Sequence, residues 1–539
     1  MGRLVKWLSL AVAAVVLLTI AAMAALPWVV DTPRVQSLIA SSAAQALARP
    51  VKFQSLHVSV LPYPVVRLGK LEVAEDPTFG AGAFLRLDDA HLRLKLWPLL
   101  RGRIEFGTLV LKQPTIVLLQ GSDRRWNFSS LGAARETGAV PRALRSGGAG
   151  VTPAPLVSRI LIEEGLVTYE THGPGGAASR RRLEKVDLTL SSRAGAVSFS
   201  GSARVMPGDV AVRITDGTLG LGGGRTLADG SLRATVTFVG DDVRPVVAAA
   251  LGPEPAIAGA IAGRLNVTGT VSRPRATGEV ELKRPEVTRT NPECAEPKRR
   301  KLALWAVKAN VVWDDGRLVV QSLATGLGDG SITSKLSATP APHPLAELSD
   351  LVVKGLALER VLVDFLCQPY AVAGPLDLTG ALALSPTDPI GTLSGKGRLR
   401  IGQGKIMGVR ALALLGGIVR LGSAVSSALR LDVSPSIFSS PIEFDSITAT
   451  YQIRDGVVTT RDLLYTSRAM TIKMIGDYVL PTDRVNFDVV LDYGRGQLQA
   501  KVTGTAASPS IRVAPPAMLR QVDPGKVERG LKDLLGKFR

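Results

Sequence analysis

Alternation of apolar and polar residues is the dominant pattern of this chain beyond residue 50. Clear examples are residues 197–205, 232–238, 305–311 and 447–453. A period of two is typical of a strand with one apolar face and one solvated face. Asp-Gly pairs lie between many of these segments, and such pairs favour hairpin turns. The pattern therefore predicts a mainly β protein built as a long antiparallel meander.

An uncharged apolar segment precedes this β region. Leu8–Leu26 is long enough to span a bilayer. Basic residues precede it and Asp31 follows it, so the positive-inside rule places residues 31–539 outside the cytoplasm. We therefore predict a membrane anchor over residues 1–30, with the bulk of the protein in the periplasm. Its anchoring residues are Trp7, Leu8, Val16, Leu18, Leu26 and Trp28.

A cleaved signal peptide is the alternative interpretation of this segment. Residues 22–24, Ala-Met-Ala, fit a small-x-small cleavage pattern. Both interpretations predict export, and an oxidising compartment would allow Cys294 and Cys367 to pair. Their separation along the chain carries no geometric information, so the sequence leaves the pairing open and does not favour it.

Helical periodicity is confined to short segments at residues 34–47, 242–251, 358–367 and 409–429. The spacing of apolar and basic residues predicts a basic amphipathic helix at residues 516–539, which would either cap the sheet or lie on an anionic membrane surface. Composition then predicts six regions. These are the anchor at 1–30, an N-terminal β region at 31–131, a linker or long loop at 132–156, a central β meander at 157–395, a C-terminal β region at 396–515 and the helix at 516–539.

The chemistry of the chain gives no indication of an enzyme. The sequence contains no complete nucleotide-binding, hydrolase or metalloprotease motif, and its four histidines lack companions at ligand spacing. We therefore predict no catalytic residue, no metal site and no cofactor. The formal net charge of +19 is compatible with nucleic acid, but only 5% of the residues are aromatic and an exported protein meets little of it. Anionic lipid headgroups are the better electrostatic partner.

Ordered motifs in two parts of the chain resemble the AsmA family of bacterial envelope proteins. Within residues 38–131 they are Arg49-Pro50-Val51, Leu61-Pro62, Glu75-Asp76-Pro77, Phe79-Gly80, Trp97–Ile104, Leu109–Pro114 and Trp126-Asn127. A second set lies within residues 391–513 and includes Gly404-Lys405-Ile406, Asp455-Gly456-Val457 and Gly476–Leu480. The residues between these two parts resemble the family only in their alternating apolar and polar pattern.

This resemblance implies an inner-membrane protein with one span, a β-rich periplasmic body and a role in outer-membrane lipid homeostasis, without enzymatic activity. The family is similar to chorein-type bridge proteins, whose sheet forms a lipid-lined trough. The resemblance thus implies the membrane, phospholipid and other envelope proteins as partners.

The apolar strand faces need a covering, and acyl chains can provide it. We therefore predict one long curled sheet, shaped as a groove, that binds and passively conducts phospholipid. The groove candidates are Val197, Phe199, Val236, Phe238, Leu265, Val267, Val307, Leu376, Leu378, Ile447, Tyr451, Ile453, Phe487, Val489 and Val502. The alternative is a scaffold or assembly factor for outer-membrane proteins, which would use a sheet edge for β-augmentation.

Overall fold

Strands dominate the computed structural model of the chain. Twenty-six strands belong to one mixed sheet and three short strands to a second, so the predictions of a mainly β fold and a long sheet are confirmed. The structure describes residues 37, 40–41, 43–45, 47–59, 65–95, 106–121, 125–131, 157–172, 178–193, 196–220, 229–292, 294–339, 345–368, 372–407, 442–493, 496–506 and 508–514. The predicted anchor, the linker at 132–156, the helix at 409–429 and the helix at 516–539 lie outside these residues.

Contacts within the chain define two compact units. The first contains residues 1–253, 257–283 and 309–318, and the second contains residues 254–256, 284–308 and 319–539.

The first thirteen strands run from residue 51 to residue 290. They are β1 (Val51–Lys52), β2 (Ser55–Ser59), β3 (Val65–Ala74), β4 (Ala83–Leu94), β5 (Phe106–Lys112), β6 (Thr115–Gln120), β7 (Arg159–His172), β8 (Ala178–Arg193), β9 (Ala196–Met206), β10 (Val210–Gly220), β11 (Ser231–Gly240), β12 (Ala256–Gly269) and β13 (Pro274–Thr290). A 3-10 helix, Asn127–Ser130, follows β6, and helix α1, Arg244–Leu251, follows β11 as predicted. Residues 43–45 and 47 are also helical, within the helix predicted at 34–47.

The remaining strands run from residue 299 to residue 514. They are β14 (Arg299–Ala303), β15 (Val307–Asp314), β16 (Arg317–Leu327), β17 (Gly330–Thr339), β18 (Leu345–Ala357), β19 (Val372–Ala373), β20 (Pro375–Leu384), β21 (Ser394–Ile401), β22 (Gly404–Ile406), β23 (Ile442–Phe444), β24 (Ser446–Arg454), β25 (Val457–Thr466), β26 (Thr471–Val479), β27 (Arg484–Tyr493), β28 (Gly496–Thr505) and β29 (Pro509–Ala514). A π-helix, Arg360–Phe365, lies where the short helix 358–367 was predicted, and a 3-10 helix, Leu480–Thr482, precedes β27.

The predicted antiparallel order is wrong at β7, which pairs in parallel with both β5 and β6. β5 and β6 act as one bent strand, because β4 pairs with both of them across the break at Gln113 and Pro114. Parallel neighbours need a long connection, and β6 and β7 are separated along the chain by residues 121–158. Alternation alone does not reveal strand direction. From β7 to β12 each strand pairs with the next in antiparallel fashion.

Buried apolar side chains form three clusters, each within one unit. The N-terminal cluster contains Val51, Leu56, Val66, Leu68, Leu71, Val73, Leu87, Ala90, Leu92 and Leu111. The middle cluster contains Leu327, Leu351, Val353 and Leu356. The C-terminal cluster contains Leu358, Ile401, Ile406, Phe444, Tyr465, Met470, Ile472, Val489, Leu491, Ala500 and Val502.

Candidate functional site: an apolar face of the sheet

Four central strands, β9 to β12, bring six of the groove candidates together on one face. Val236 lies opposite Ile214 of β10 and Leu265 of β12. Side chains two residues apart on a strand share a face, so this register extends to the candidates on all four strands. We define the central apolar face by these six residues. They are Val197, Phe199, Val236, Phe238, Leu265 and Val267.

Both aromatic rings of the central apolar face lie across a glycine of the neighbouring strand. Phe199 is opposite Gly217, and Phe238 is opposite Gly263. A Cβ atom at Gly263 would lie 2.3 Å from Cζ of Phe238, and one at Gly217 would lie 2.5 Å from Cδ2 of Phe199. Glycine therefore leaves room for each ring to lie along the sheet, a cross-strand arrangement of glycine and aromatic residues that stabilises β pairs. The rings extend sideways over the sheet, which keeps the space above the face free of them.

The central apolar face is only half-buried. All six of its side chains remain partly accessible, and among the described residues no member of β8 to β12 belongs to any of the three buried clusters. At one end of these strands α1 packs on the β9–β10 turn, where a Cβ at Gly208 would lie 2.6 Å from Cγ2 of Val246. The polar face of the same strands carries residues such as Thr237, which lies opposite Arg213 and Arg264. The sheet therefore has one wet face and one accessible apolar face here.

Eight more candidates share the apolar face of the C-terminal strands, where the packing is tighter. In this register Phe487 lies opposite Val502, and Ile447 lies opposite Ile401. Val489 and Val502 are 3% and 4% exposed and belong to the C-terminal cluster. The eight residues are Leu376, Leu378, Ile447, Tyr451, Ile453, Phe487, Val489 and Val502. The remaining candidate, Val307, is half-buried at the start of β15.

A small second sheet covers one end of this C-terminal face. β19, β22 and β23 pair with one another and continue β20, β21 and β24 beyond bends in the chain. Phe444 and Ile406 of the small sheet pack with Ile472 and Leu491 in the C-terminal cluster. The Tyr465 hydroxyl donates to the Glu443 carbonyl at 3.2 Å. Three strands thus bend over and close the apolar face at their own ends.

Tyr451 has an orphan polar atom within this face. Its ring lies over Gly380 and Gly397, where added Cβ atoms would lie 2.7 and 2.5 Å from its hydroxyl oxygen. The hydroxyl is buried without a hydrogen-bond partner among the described residues. Burial raises the pKa of Tyr451 above its ordinary value, so the phenol stays neutral.

A buried polar network in the first unit joins residues that the sequence motifs contain but that we had not assigned a role. The Arg49 guanidinium lies 3.3 Å from the Glu75 carboxylate, and Asn127 donates to the other Glu75 oxygen at 2.8 Å. Arg49 also donates to the Asn127 carbonyl and, at 2.9 Å, to the Ser130 hydroxyl. The Ser130 hydroxyl in turn donates to Asp76. This network fixes the chain before β1 to the β3–β4 turn and to the 3-10 helix.

The pKa values in this network are shifted by two opposing effects. Burial raises the pKa of Asp76, but hydrogen bonds from Ser130 and Thr78, together with Arg49, outweigh it and hold the pKa below its ordinary value. Burial also lowers the pKa of Arg49, which Glu75 and Asp76 oppose. Arg49 is 3% exposed and also lies 5.1 Å from the centre of the Phe84 ring. The sequence signal that could have identified these residues is their presence in the ordered motifs of residues 38–131.

Cys294 and Cys367 form a disulfide, with their Cα atoms 5.5 Å apart. The sequence did not favour this pairing, because a separation of 73 residues says nothing about distance in the fold. The Asn291 amide donates to the Leu366 carbonyl at 2.9 Å and supports the same contact. The β13–β14 turn is therefore fastened to the segment after the π-helix.

The described ranges contain neither a metal-binding cluster nor a helix suited to span a membrane. No group of three or more His, Cys, Asp or Glu residues is arranged to hold a metal ion there. No helix in the same ranges, which begin at residue 37, combines the length and the apolar character needed to cross a bilayer.

Comparison with known proteins gives one match. The model of the AsmA family matches residues 1–199, a range that contains the polar network of Arg49, Glu75, Asp76 and Asn127. No curated protein and no solved structure matches the chain significantly. The family match covers the N-terminal motifs on which the resemblance was based and agrees with them. Residues 1–199 of the chain are therefore similar to the AsmA family.

Proposed function

We propose that this protein binds phospholipid through its acyl chains on the apolar β face and conducts it passively, in support of outer-membrane lipid homeostasis and biogenesis. The observation that carries the proposal is the central apolar face, whose six side chains share one register and remain accessible. A contiguous apolar face that remains partly accessible favours binding of an apolar partner.

The free energy cost of exposing an acyl chain to water supports binding of acyl chains on this face. Burying a methylene gains about 0.8 kcal/mol, so a chain of about 16 carbons would cost roughly 13 kcal/mol to move through water uncovered. Neighbouring strands are about 4.8 Å apart, so the four strands β9 to β12 span about 14 Å. Such a strip provides continuous apolar contact. Because the contacts are non-directional, the lipid exchanges one side chain for the next without a large barrier.

Two independent features support a location outside the cytoplasm. The uncharged segment Leu8–Leu26 is proposed to remain as a single inner-membrane span, with the rest of the protein in the periplasm. A disulfide is typical of oxidising compartments, and the Cys294–Cys367 bond supports export. No catalytic residue, cofactor or nucleic acid is part of the proposal.

Lipid analysis of the purified full chain tests this function. The protein is extracted in a mild uncharged detergent, and its bound lipids are identified by mass spectrometry. We expect phospholipid in stoichiometric amounts, and reduced amounts in a Val236→Asp variant. A protein partner recovered without bound lipid would overturn the proposal and favour the scaffold function.

A further inference from the structure

A shallow depression lies on the opposite, polar face of the C-terminal strands. Neighbouring residues of β20, β21, β24 and β25 line this depression of about 530 Å³. Its floor includes Arg398 and Arg400, two residues apart on β21 and therefore on the same face, about 6.8 Å apart. Leu378, Leu399 and Ala449 also border the depression, but the register places their side chains on the apolar side of the sheet. The depression is thus separate from the apolar face proposed for acyl chains and does not depend on that function.

The register surrounds both arginines with hydroxyl and carboxylate groups. Arg398 lies between Thr379 and Thr450, and Arg400 lies between Asp377 and Thr448. Asp462 of β25 lines the depression as well. The lining therefore carries two guanidinium groups and two carboxylates, with a net charge of zero.

The two carboxylates are held by other groups. Asp462 accepts hydrogen bonds from the backbone amide of Thr450 at 2.7 Å and from its hydroxyl at 2.8 Å. Asp377 accepts from the backbone amide of Gly355 at 2.9 Å. In the part of the chain that the structure describes, neither carboxylate forms an ion pair with Arg398 or Arg400. Both guanidinium groups are exposed and retain donors for a ligand.

The pKa of Asp462 fits this arrangement. Its limited burial raises the pKa, but the hydrogen bonds from Thr450 and Thr460 outweigh that effect and lower the pKa below its ordinary value. The carboxylate is therefore ionised throughout the physiological pH range. It provides a fixed negative charge beside the two arginines.

We propose that this depression binds the zwitterionic headgroup of a phosphate diester, with the phosphate at Arg398 and Arg400 and a primary ammonium group at Asp377 or Asp462. Guanidinium groups match phosphate oxygens in geometry and bind them through paired charge-assisted hydrogen bonds. The carboxylates repel a second negative charge, which disfavours free inorganic phosphate and headgroups with a net negative charge. A zwitterion matches the net zero charge of the lining.

Soluble headgroups without acyl chains test this site independently of the apolar face. Full-length protein in uncharged detergent is titrated with glycerophosphoethanolamine, glycerophosphoglycerol or inorganic phosphate, and binding is followed by phosphorus NMR. We expect glycerophosphoethanolamine to bind most tightly. The Arg398→Gln/Arg400→Gln double variant should weaken its binding at least about tenfold, because two charge-assisted contacts are lost.

Further variants separate recognition from general charge. Asp377→Asn should weaken glycerophosphoethanolamine binding and strengthen glycerophosphoglycerol binding. The Lys473→Gln/Arg484→Gln control removes the same charge from exposed positions outside the depression and should change neither. Arg398→Lys/Arg400→Lys keeps the charge and should give a smaller loss, which provides a second test if the glutamine variant does not fold.

The proposal has clear contradicting outcomes. It is overturned if wild type binds no glycerophosphoethanolamine, if it binds inorganic phosphate as tightly, or if the control loses as much affinity as the double variant. Loss of lipid transfer with intact headgroup binding would contradict the proposed function alone.

Discussion

A carboxylate at Val236 provides the most direct test of the central apolar face. Val236 lies in the middle of β11 with Leu265 opposite it and is half-buried. An aspartate there keeps its hydration shell and excludes a bound acyl chain over about the 4.8 Å width of one strand, which corresponds to about four methylenes. At about 0.8 kcal/mol per methylene the loss is roughly 3 kcal/mol, or about 150-fold in affinity. The cost to folding should be about 1 kcal/mol, since the valine is only half-buried.

The adjacent residue supplies a matched control. Thr237 follows Val236 on the same strand, has similar burial and points to the polar face. The assay is photocrosslinking of the full chain to phospholipid with a diazirine in its acyl chain. We expect Val236→Asp to lose most crosslinking and Thr237→Asp to retain it, with similar urea unfolding midpoints for both. Equal crosslinking by the two variants would refute the assignment of this face to acyl chains.

Four further outcomes follow from the structure. Arg49→Met should lower the free energy of unfolding, measured by urea titration, by about 3–5 kcal/mol, because it leaves the buried Glu75 carboxylate without its ion pair. The control Arg86→Met removes an exposed ion pair with a separation of 3.8 Å and should cost under about 1 kcal/mol in the same titration. Asp76 has a lowered pKa in the folded protein, so its contribution to folding stability is present above the ordinary carboxyl pKa of about 3.9 and is lost as the pH falls through the folded-state pKa. Asp76→Asn should therefore reduce the dependence of the urea unfolding midpoint on pH in the acid range. Cys294→Ser, which opens a loop of 73 residues, should destabilise the second unit by about 4 kcal/mol in denaturant titrations, and no loss would mean that the bond does not form. Gly263→Val should force the Phe238 ring away from the sheet and reduce acyl crosslinking, and unchanged crosslinking would show that the position of the ring does not matter.

Periodicity was sufficient to predict which side of each central strand is apolar. Val197, Phe199, Val236 and Phe238 alternate with polar residues, and a period of two places them on one face regardless of the neighbouring strand. Their assembly into one face also required the antiparallel register. Asp229-Gly230 lies between β10 and β11, as a hairpin turn requires, but the Asp216-Gly217 turn predicted by the same pattern is wrong, because this pair lies inside β10 at a shift of register.

Features that depend on contacts distant in sequence could not be predicted. The parallel position of β7 follows the connection at 121–158, and no local pattern encodes strand direction. The Cys294–Cys367 bond and the Arg49 network depend on distances that only the fold defines. Alternation also does not reveal that β20, β21 and β24 bend at one end so that the small sheet covers their apolar face. Nor does it reveal that the apolar face of β9 to β12 stays accessible.

The hairpin order of β7 to β12 limits how this sheet can change in size. Removing or duplicating a single strand would leave two neighbouring strands parallel at that point, or would reverse all later strands together relative to β7. Adding or removing a hairpin of two strands preserves all directions and changes the sheet by about 9.6 Å. The width of this sheet therefore changes in units of one hairpin. Insertion of one hairpin, for example between β8 and β9, is the smallest change that would widen the sheet and keep every strand direction.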